Sequence, residues 1–330
     1  WISPLYAVVC IVCLFLAASA QIGSSVDNIV GMGAPRLPVT IIMTVLVAIV
    51  VIGGMKSLLS VTERLVPAMS VLYIVGTLIV IIMNIQNLPA AFASIFRYAF
   101  TGRAAVGGFA GAAVTQSIRW GIARGCYSND SGTGVTTITH AVADVNHPIQ
   151  QSMWAVFEVF FDTIIVCSLT CLVILTTGVW QSDVAPAVMT ATAFNNTLGS
   201  VGTLIVTVSI VLFTFTTACA QIEFTEAQFR KLVGDKLSVG CRWGMLALIL
   251  VGGMVGIDAL INYVDFFAGL YTIINLLGVY FCVNQIVKLT KEYFADPKKW
   301  ETQTWPKWVE EEKEYADAHT KQIDKSVPKE

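Results

Sequence analysis

The chain has 330 residues, 55% of them hydrophobic and 13% charged, with a formal net charge of −2. A soluble globular protein carries about 25% charged residues, so most of this surface must face something other than water. No basic stripe lies outside the C-terminal tail, which excludes binding to a row of phosphates and with it a nucleic-acid partner.

The eight cysteines sit mostly inside apolar runs and form no recurring CxxC pairs. They read as small apolar packing residues rather than a disulfide framework. Trp1 stands directly before an apolar run with no charged segment ahead of it. That start fits a truncated larger protein better than a signal peptide.

A bilayer core about 30 Å thick takes roughly 20 apolar residues of helix. In chain order, crossings are expected at about 4–26, 38–54, 67–87, 153–178, 201–222, 242–262 and 266–288. Residues 87–100 read as a short amphipathic helix along the extracellular interface. A weaker eighth crossing at 104–122 is rich in Gly and Ala and interrupted by Gln116 and Arg119. From about 290 the composition turns polar, so residues 1–290 form the membrane domain and 291–330 a solvated tail, partly helical over 307–322.

Loop charge supports the eighth crossing. With it counted, Lys56, Arg64, Arg124, Arg230, Lys231, Lys236, Arg242 and the tail share one side, and Arg36, Arg97 and Arg103 the other. The more basic side is cytoplasmic, which puts the C-terminus inside and the protein in the plasma (inner) membrane as a multi-pass protein.

Polar residues within apolar runs are the candidates for function. The clustered glycines of Gly107 to Gln116 either break a helix at a ligand site or allow close helix packing. In "LFTFTTACAQIEF", Thr214, Thr216, Thr217 and Gln221 punctuate an apolar helix, with Thr217 and Gln221 on one face. Their oxygens suit a cation such as sodium, or the hydroxyls back-bond to carbonyls one turn earlier.

Glu158 and Asp162 read as carboxylates near a helix start, complementing its dipole within reach of water; a proton relay is the alternative. Asp258, Asn262 and Asp265 read as the outer end of another helix. In "RGCYSNDSGTG" (124–134) the glycines lack the lysine of a nucleotide loop. His140, Asp144 and His147 lack the further ligands of a metal site.

The stretch from Gly107 to Leu175 resembles the sodium–alanine symporter family, the amino-acid carrier proteins. Its signature G-V-A-R-G-x-F-S-N-E-A-G-x-G is matched here at Arg124-Gly125, Ser128-Asn129, Gly132 and Gly134, followed by His140-Ala141 and Asp162-Thr163. Tyr127 replaces the usual Phe, and Asp130-Ser131 replaces Glu-Ala. "VIGGMKSLLSVTERLVPAMSVLYIVG" also resembles a family stretch.

The resemblance implies an all-α membrane protein of the leucine-transporter type, with ten core helices in two inverted five-helix repeats. The eight crossings become core helices three to ten, the first two core helices are missing, and residues 1–330 alone do not transport. Gly107, Gly108, Phe109 and Gly111 would fall on the interrupted sixth core helix beside the substrate. Thr216 and Thr217, with the Phe213 carbonyl, would ligate sodium on core helix eight, and Thr217 would also line the substrate site.

Gln221 stands where the family has Trp, and Ile274-Asn275 where it has Pro-Asn. The implied activity is sodium-coupled symport of a small amino acid of the alanine or glycine class by alternating access, with sodium as coupling ion and no cofactor. Changed specificity or proton coupling is the alternative. The 124–134 stretch becomes the cytoplasmic exit of core helix six. A membrane-embedded hydrolase needs a nucleophile beside Asp162 or His140, and a channel needs a continuous polar pore.

Overall fold

The computed structural model describes residues 2–100, 118–125, 128, 130, 132–141, 143–257, 259–296 and 298. Among these the chain is helical and has no strand. The main helices are α1 (Ile2–Val30), α2 (Arg36–Ile52), α3 (Gly54–Met83), α4 (Leu88–Phe100), α5 (Pro148–Thr177), α6 (Pro186–Val233), α7 (Asp235–Val255) and α8 (Ile261–Ala295).

Among the described residues five helices are long and apolar enough to cross a membrane: Ile2–Gly31, Gly54–Met83, Pro148–Thr177, Val188–Val233 and Ile261–Ala295. Arg36–Ile52 and Gly240–Val255 are shorter apolar helices. Together these match the seven strong crossings. Of the eighth, at 104–122, only the end is described, where 118–125 is helical; Gly107, Gly108, Phe109, Gly111 and the tail from 301 lie outside the described residues.

Two departures from the expected boundaries matter. The first is α6, which begins at Pro186, a residue preorganised for a first helical turn, and breaks at Gly199 (φ 63°, ψ −147°) before running on to Val233. Only glycine takes that conformation at low cost, so the expected crossing from 201 starts just after a real discontinuity. The second is α5, which starts at Pro148, five residues before the expected 153, and carries a π-helical segment at Phe160–Cys167.

The residues divide into two compact units. One holds Trp1–Val135 with Phe160–Leu277, the other Thr136–Val159 with Gly278–Glu330. The core of the first joins α1, α2, α6 and α7 through Ile22, Val26, Met43, Val47, Ile222 and Met245. A second cluster joins α3, α5 and α6 through Tyr73, Val80, Val173, Phe194 and Val206. Large apolar side chains such as Ile49 and Val201 (both 65% exposed) line the outside, as expected of helices that face lipid.

Small residues set the closest approach between helices. A Cβ on Gly252 of α7 would lie 2.5 Å from the Ser19 carbonyl oxygen of α1, and one on Gly253 2.4 Å from the Thr40 methyl of α2. Asp27 and Arg36 tie the same three helices together: they pair at 2.5 Å, Arg36 donates to the Gly253 carbonyl at 2.9 Å, and Asp27 accepts the Ile257 N–H at 3.2 Å. Gly252→Leu is therefore expected to cost about 3 kcal/mol, the upper end for overpacking. A wild-type melting temperature in detergent for that variant would show the α1–α7 contact to be wrong.

Candidate cation and substrate face

The polar run of α6 separates into residues with different partners. Thr214 donates to the Ile210 carbonyl at 2.8 Å and pairs with Ser25 of α1, both side chains being buried. It serves helix packing. Thr216 donates to the carbonyls of Leu212 and Phe213, each at 3.0 Å, and Thr217 donates to Phe213 at 2.8 Å.

Back-bonding of threonine to the preceding turn therefore occurs at all three positions. It does not consume the hydroxyl oxygens, because a hydroxyl that donates its proton still accepts on its lone pairs. Two hydroxyls converge on the single Phe213 carbonyl, giving three hard oxygens in one turn. Thr216 is buried and Thr217 is exposed. One turn on, the Gln221 side-chain oxygen Oε1 is buried with no hydrogen-bond partner among the described residues.

The position of this turn is braced from behind. Phe213 meets Tyr73 of α3 edge-on at 5.9 Å, Tyr73 stacks on Phe194 at 6.4 Å, and the Tyr73 hydroxyl bonds Thr170 of α5 at 2.6 Å.

The described residues of the 124–134 stretch are held between helices. Tyr6 of α1 donates to the Thr133 carbonyl at 2.8 Å, and Asn275 of α8 donates to the Gly132 carbonyl at 2.9 Å. Gly134 (φ 81°) leaves no room for a side chain, since a Cβ would lie 2.5 Å from the Asn275 side-chain oxygen. Asp130 holds φ 51°, and burial pushes its carboxyl above the usual range.

Arg124 pairs with Asp265 and lies 5.4 Å from the Trp120 ring. Asp265 lies in the first turns of α8, near the helix end where it was expected. The Cys13 thiol donates to the Val264 carbonyl at 3.6 Å, so α8 begins beside the middle of α1 and Asp265 comes within reach of Arg124. Asp258 lies outside the described residues.

In the second unit, His140 bonds Gln151 at 2.7 Å through Nδ1 and Glu158 at 3.1 Å through Nε2. Among the described residues no hydroxyl or thiol is hydrogen-bonded to it, so the hydrolase lacks its nucleophile there. His147 caps α5: it accepts the Ile149 N–H at 3.2 Å, while Gln150 accepts the Asn146 and His147 N–H groups at 3.1 and 3.2 Å. Burial lowers the His147 pKa, with Glu292 opposing, which favours the neutral ring the cap needs. Among the described residues no three His, Cys, Asp or Glu side chains group to hold a metal ion.

One charged cluster escapes the sequence reading. On the last turns of α6, Glu223 and Glu226 are 6% and 2% exposed. Arg242 of α7 bonds Glu226, lies 3.8 Å from Glu223, and donates to the Ile52 carbonyl at 3.5 Å; Arg230 bonds Glu226 at 3.0 Å. The i, i+3, i+7 spacing of Glu223, Glu226 and Arg230 on one helix face was the available signal.

With that geometry in place, comparison with known proteins decides the family. The model of the sodium:alanine symporter family matches residues 1–306. The chain belongs to this family. Its members are transporters, not enzymes, and the apolar helices fit a multi-pass membrane protein.

Relatives include YflA, an uncharacterised transporter of Bacillus subtilis (strain 168), 36% identical over 253 residues, which are 76% of this chain and 54% of the relative. The sodium/alanine symporter AgcS of Methanococcus maripaludis is 34% identical over 268 residues, 79% of this chain and 57% of that one. The amino-acid carrier protein AlsT of Bacillus subtilis (strain 168) is 29% identical over 265 residues, 80% and 56% respectively. The chain spans about half the length of these relatives.

Proposed function

We propose that the protein is a sodium-coupled symporter of a small neutral amino acid, working by alternating access in the plasma membrane. The carrying observation is the convergence of the Thr216 and Thr217 hydroxyls on the Phe213 carbonyl, with the unpartnered Gln221 oxygen one turn away. Sodium takes the three oxygens, and Thr217 and Gln221 face the substrate. In the leucine-transporter-type reading, Gly107, Gly108, Phe109 and Gly111 complete the substrate site from the sixth core helix, where the free N–H groups of a broken helix would receive the amino-acid carboxylate.

The fold in this reading is the leucine-transporter type, with core helices three to ten within residues 1–290 and a cytoplasmic tail from 291. In two five-helix repeats, helix three corresponds to eight and four to nine. The buried core built from α1, α2, α6 and α7 unites two successive helices from each repeat, which supports this assignment. Sodium and substrate raise each other's affinity, because both bind the same arrangement.

The test is uptake of labelled alanine, glycine and serine into cells expressing the full-length protein, with sodium or choline outside. Uptake independent of the cation would refute the proposal. Gln221 tunes the substrate, because a buried amide oxygen left without a donor costs about 1–3 kcal/mol. Substrates whose side chain donates a hydrogen bond are favoured over alanine by about fivefold or more. Gln221→Trp is expected to shift competition toward alanine and glycine, and an unchanged profile would place Gln221 outside the site.

A further inference from the structure

Four polar residues of α6 stand at strict seven-residue spacing: Thr207, Thr214, Gln221 and Gln228. Seven residues make nearly two full turns, so the four share one face of the helix. From first to last they span about 32 Å, close to the thickness of a bilayer core. A polar stripe therefore runs along α6 from one side of the membrane to the other.

Its members have different partners. Thr214 packs the helix against α1 through Ser25. Thr207 Oγ1, Gln221 Oε1 and Gln228 Oε1 are buried with no hydrogen-bond partner among the described residues. Thr207 is 5% exposed and Gln228 2%, so water does not reach either side chain from the surface. On the same helix Thr214, Thr216, Thr217 and Thr225 each donate to a carbonyl one turn back, a bond that Thr207 lacks.

Polar side chains between membrane helices ordinarily hold them together, but an amide oxygen that accepts no bond holds nothing. The far side of the same turns makes the contrast. Glu226 lies two residues before Gln228 and so on the opposite face, where Arg242 and Arg230 both bond it. Charged groups on that face are satisfied within the protein, whereas the buried oxygens of the stripe accept nothing from it.

We infer that Gln228 is an inner substrate subsite, which receives the ammonium group of the amino acid between the central Thr217–Gln221 face and the cytoplasm. Gln228 stands two turns, about 10 Å, beyond Gln221, toward the C-terminal end of α6, which is cytoplasmic in the orientation proposed above. Its Oε1 can only accept, and the donors of a zwitterionic amino acid are the three N–H groups of its ammonium. A neutral amide meets that charge less tightly than a carboxylate does, which suits a station that the substrate must leave. A hard cation takes several oxygens at once, and Gln228 brings one. The inference rests on the amino-acid symport reading and adds a step to it.

The test compares the two sides of the full-length protein in right-side-out and inside-out membrane vesicles. The half-saturating concentration of labelled alanine is measured for entry into each, with saturating sodium on the side of entry. Gln228→Leu is expected to raise it about tenfold from the cytoplasmic side, the loss of one hydrogen bond to a charged group, and to leave it unchanged from outside. Gln228→Met, which keeps the length of the side chain, is expected to do the same. Both variants should melt at or above the wild-type temperature, because an unpaired buried amide is costly to the fold.

An unchanged cytoplasmic value overturns the inference and assigns the oxygen to an ordered water. Equal shifts from the two sides overturn it by moving the effect to the central face. If the cytoplasmic sodium requirement moves while the alanine value holds, the oxygen serves the ion and the substrate assignment falls. Two variants that melt well below wild type show that the amide serves packing, and overturn it as well. Wild-type alanine uptake that ignores sodium overturns the symport reading alone, since comparing the sides needs only alanine transport.

Discussion

Arg242→Ala is expected to destabilise the protein by about 3 kcal/mol or more, because removing one partner of a buried ion pair strands the other. Glu226 is 3% exposed at its side chain and Arg242 18%, so solvent does little to screen them. Arg230 keeps a contact with Glu226 at 3.0 Å from a more exposed position, which places the loss at the lower end of the 3–5 kcal/mol range.

Arg242→Lys is expected to recover only part of the loss. A lysine ammonium lacks the planar fork that lets one side chain meet Glu226, Glu223 and the Ile52 carbonyl together. The double change Glu226→Leu with Arg242→Leu removes both charges and is expected to be milder than either single alanine variant. Thermal unfolding in detergent measures all of these, and an Arg242→Ala protein that melts like wild type would remove the cluster from the account of stability.

Thr217→Ala is expected to raise the sodium concentration for half-maximal uptake at least tenfold, about 1.4 kcal/mol of binding energy, while Thr217→Ser stays close to wild type. The change deletes one of three oxygens in the turn but leaves the helix intact, since a back-bonded threonine slightly destabilises a helix. Loss of coupling and loss of folding are therefore separable: the melting temperature should hold while the sodium curve moves. Thr214→Ala, which deletes the partner of Ser25, is expected to do the opposite. If Thr217→Ala leaves the sodium curve in place, the ion is not bound on α6.

How far the sequence reached follows from the range of each interaction. The helices were legible because each depends on a local run of about 20 apolar residues. Every strong crossing has a helix in the structure. The Thr216–Thr217–Phe213 cluster was equally legible, being one turn of one helix. The start of α5 was misjudged because its cap, His147 with Gln150, uses side chains that do not resemble the usual Ser, Thr, Asp or Asn signal.

Contacts between distant segments stayed hidden. Ser128 meets Asp162 across 34 positions and Arg124 meets Asp265 across 141, with no periodicity to announce either. By itself the sequence determined that this is a many-helix membrane chain of the symporter family, and which helix carries the cluster of hydroxyls.

The tertiary structure alone decided how the helices are rotated against each other. Apolar pattern cannot do so, because lipid is as apolar as the side chains and no hydrophobic gain selects a facing side. Close fits such as Gly252 on Ser19, and polar contacts such as Arg242 on Glu226, make that choice. It is what brings two signature carboxylate and hydroxyl groups together at Asp162.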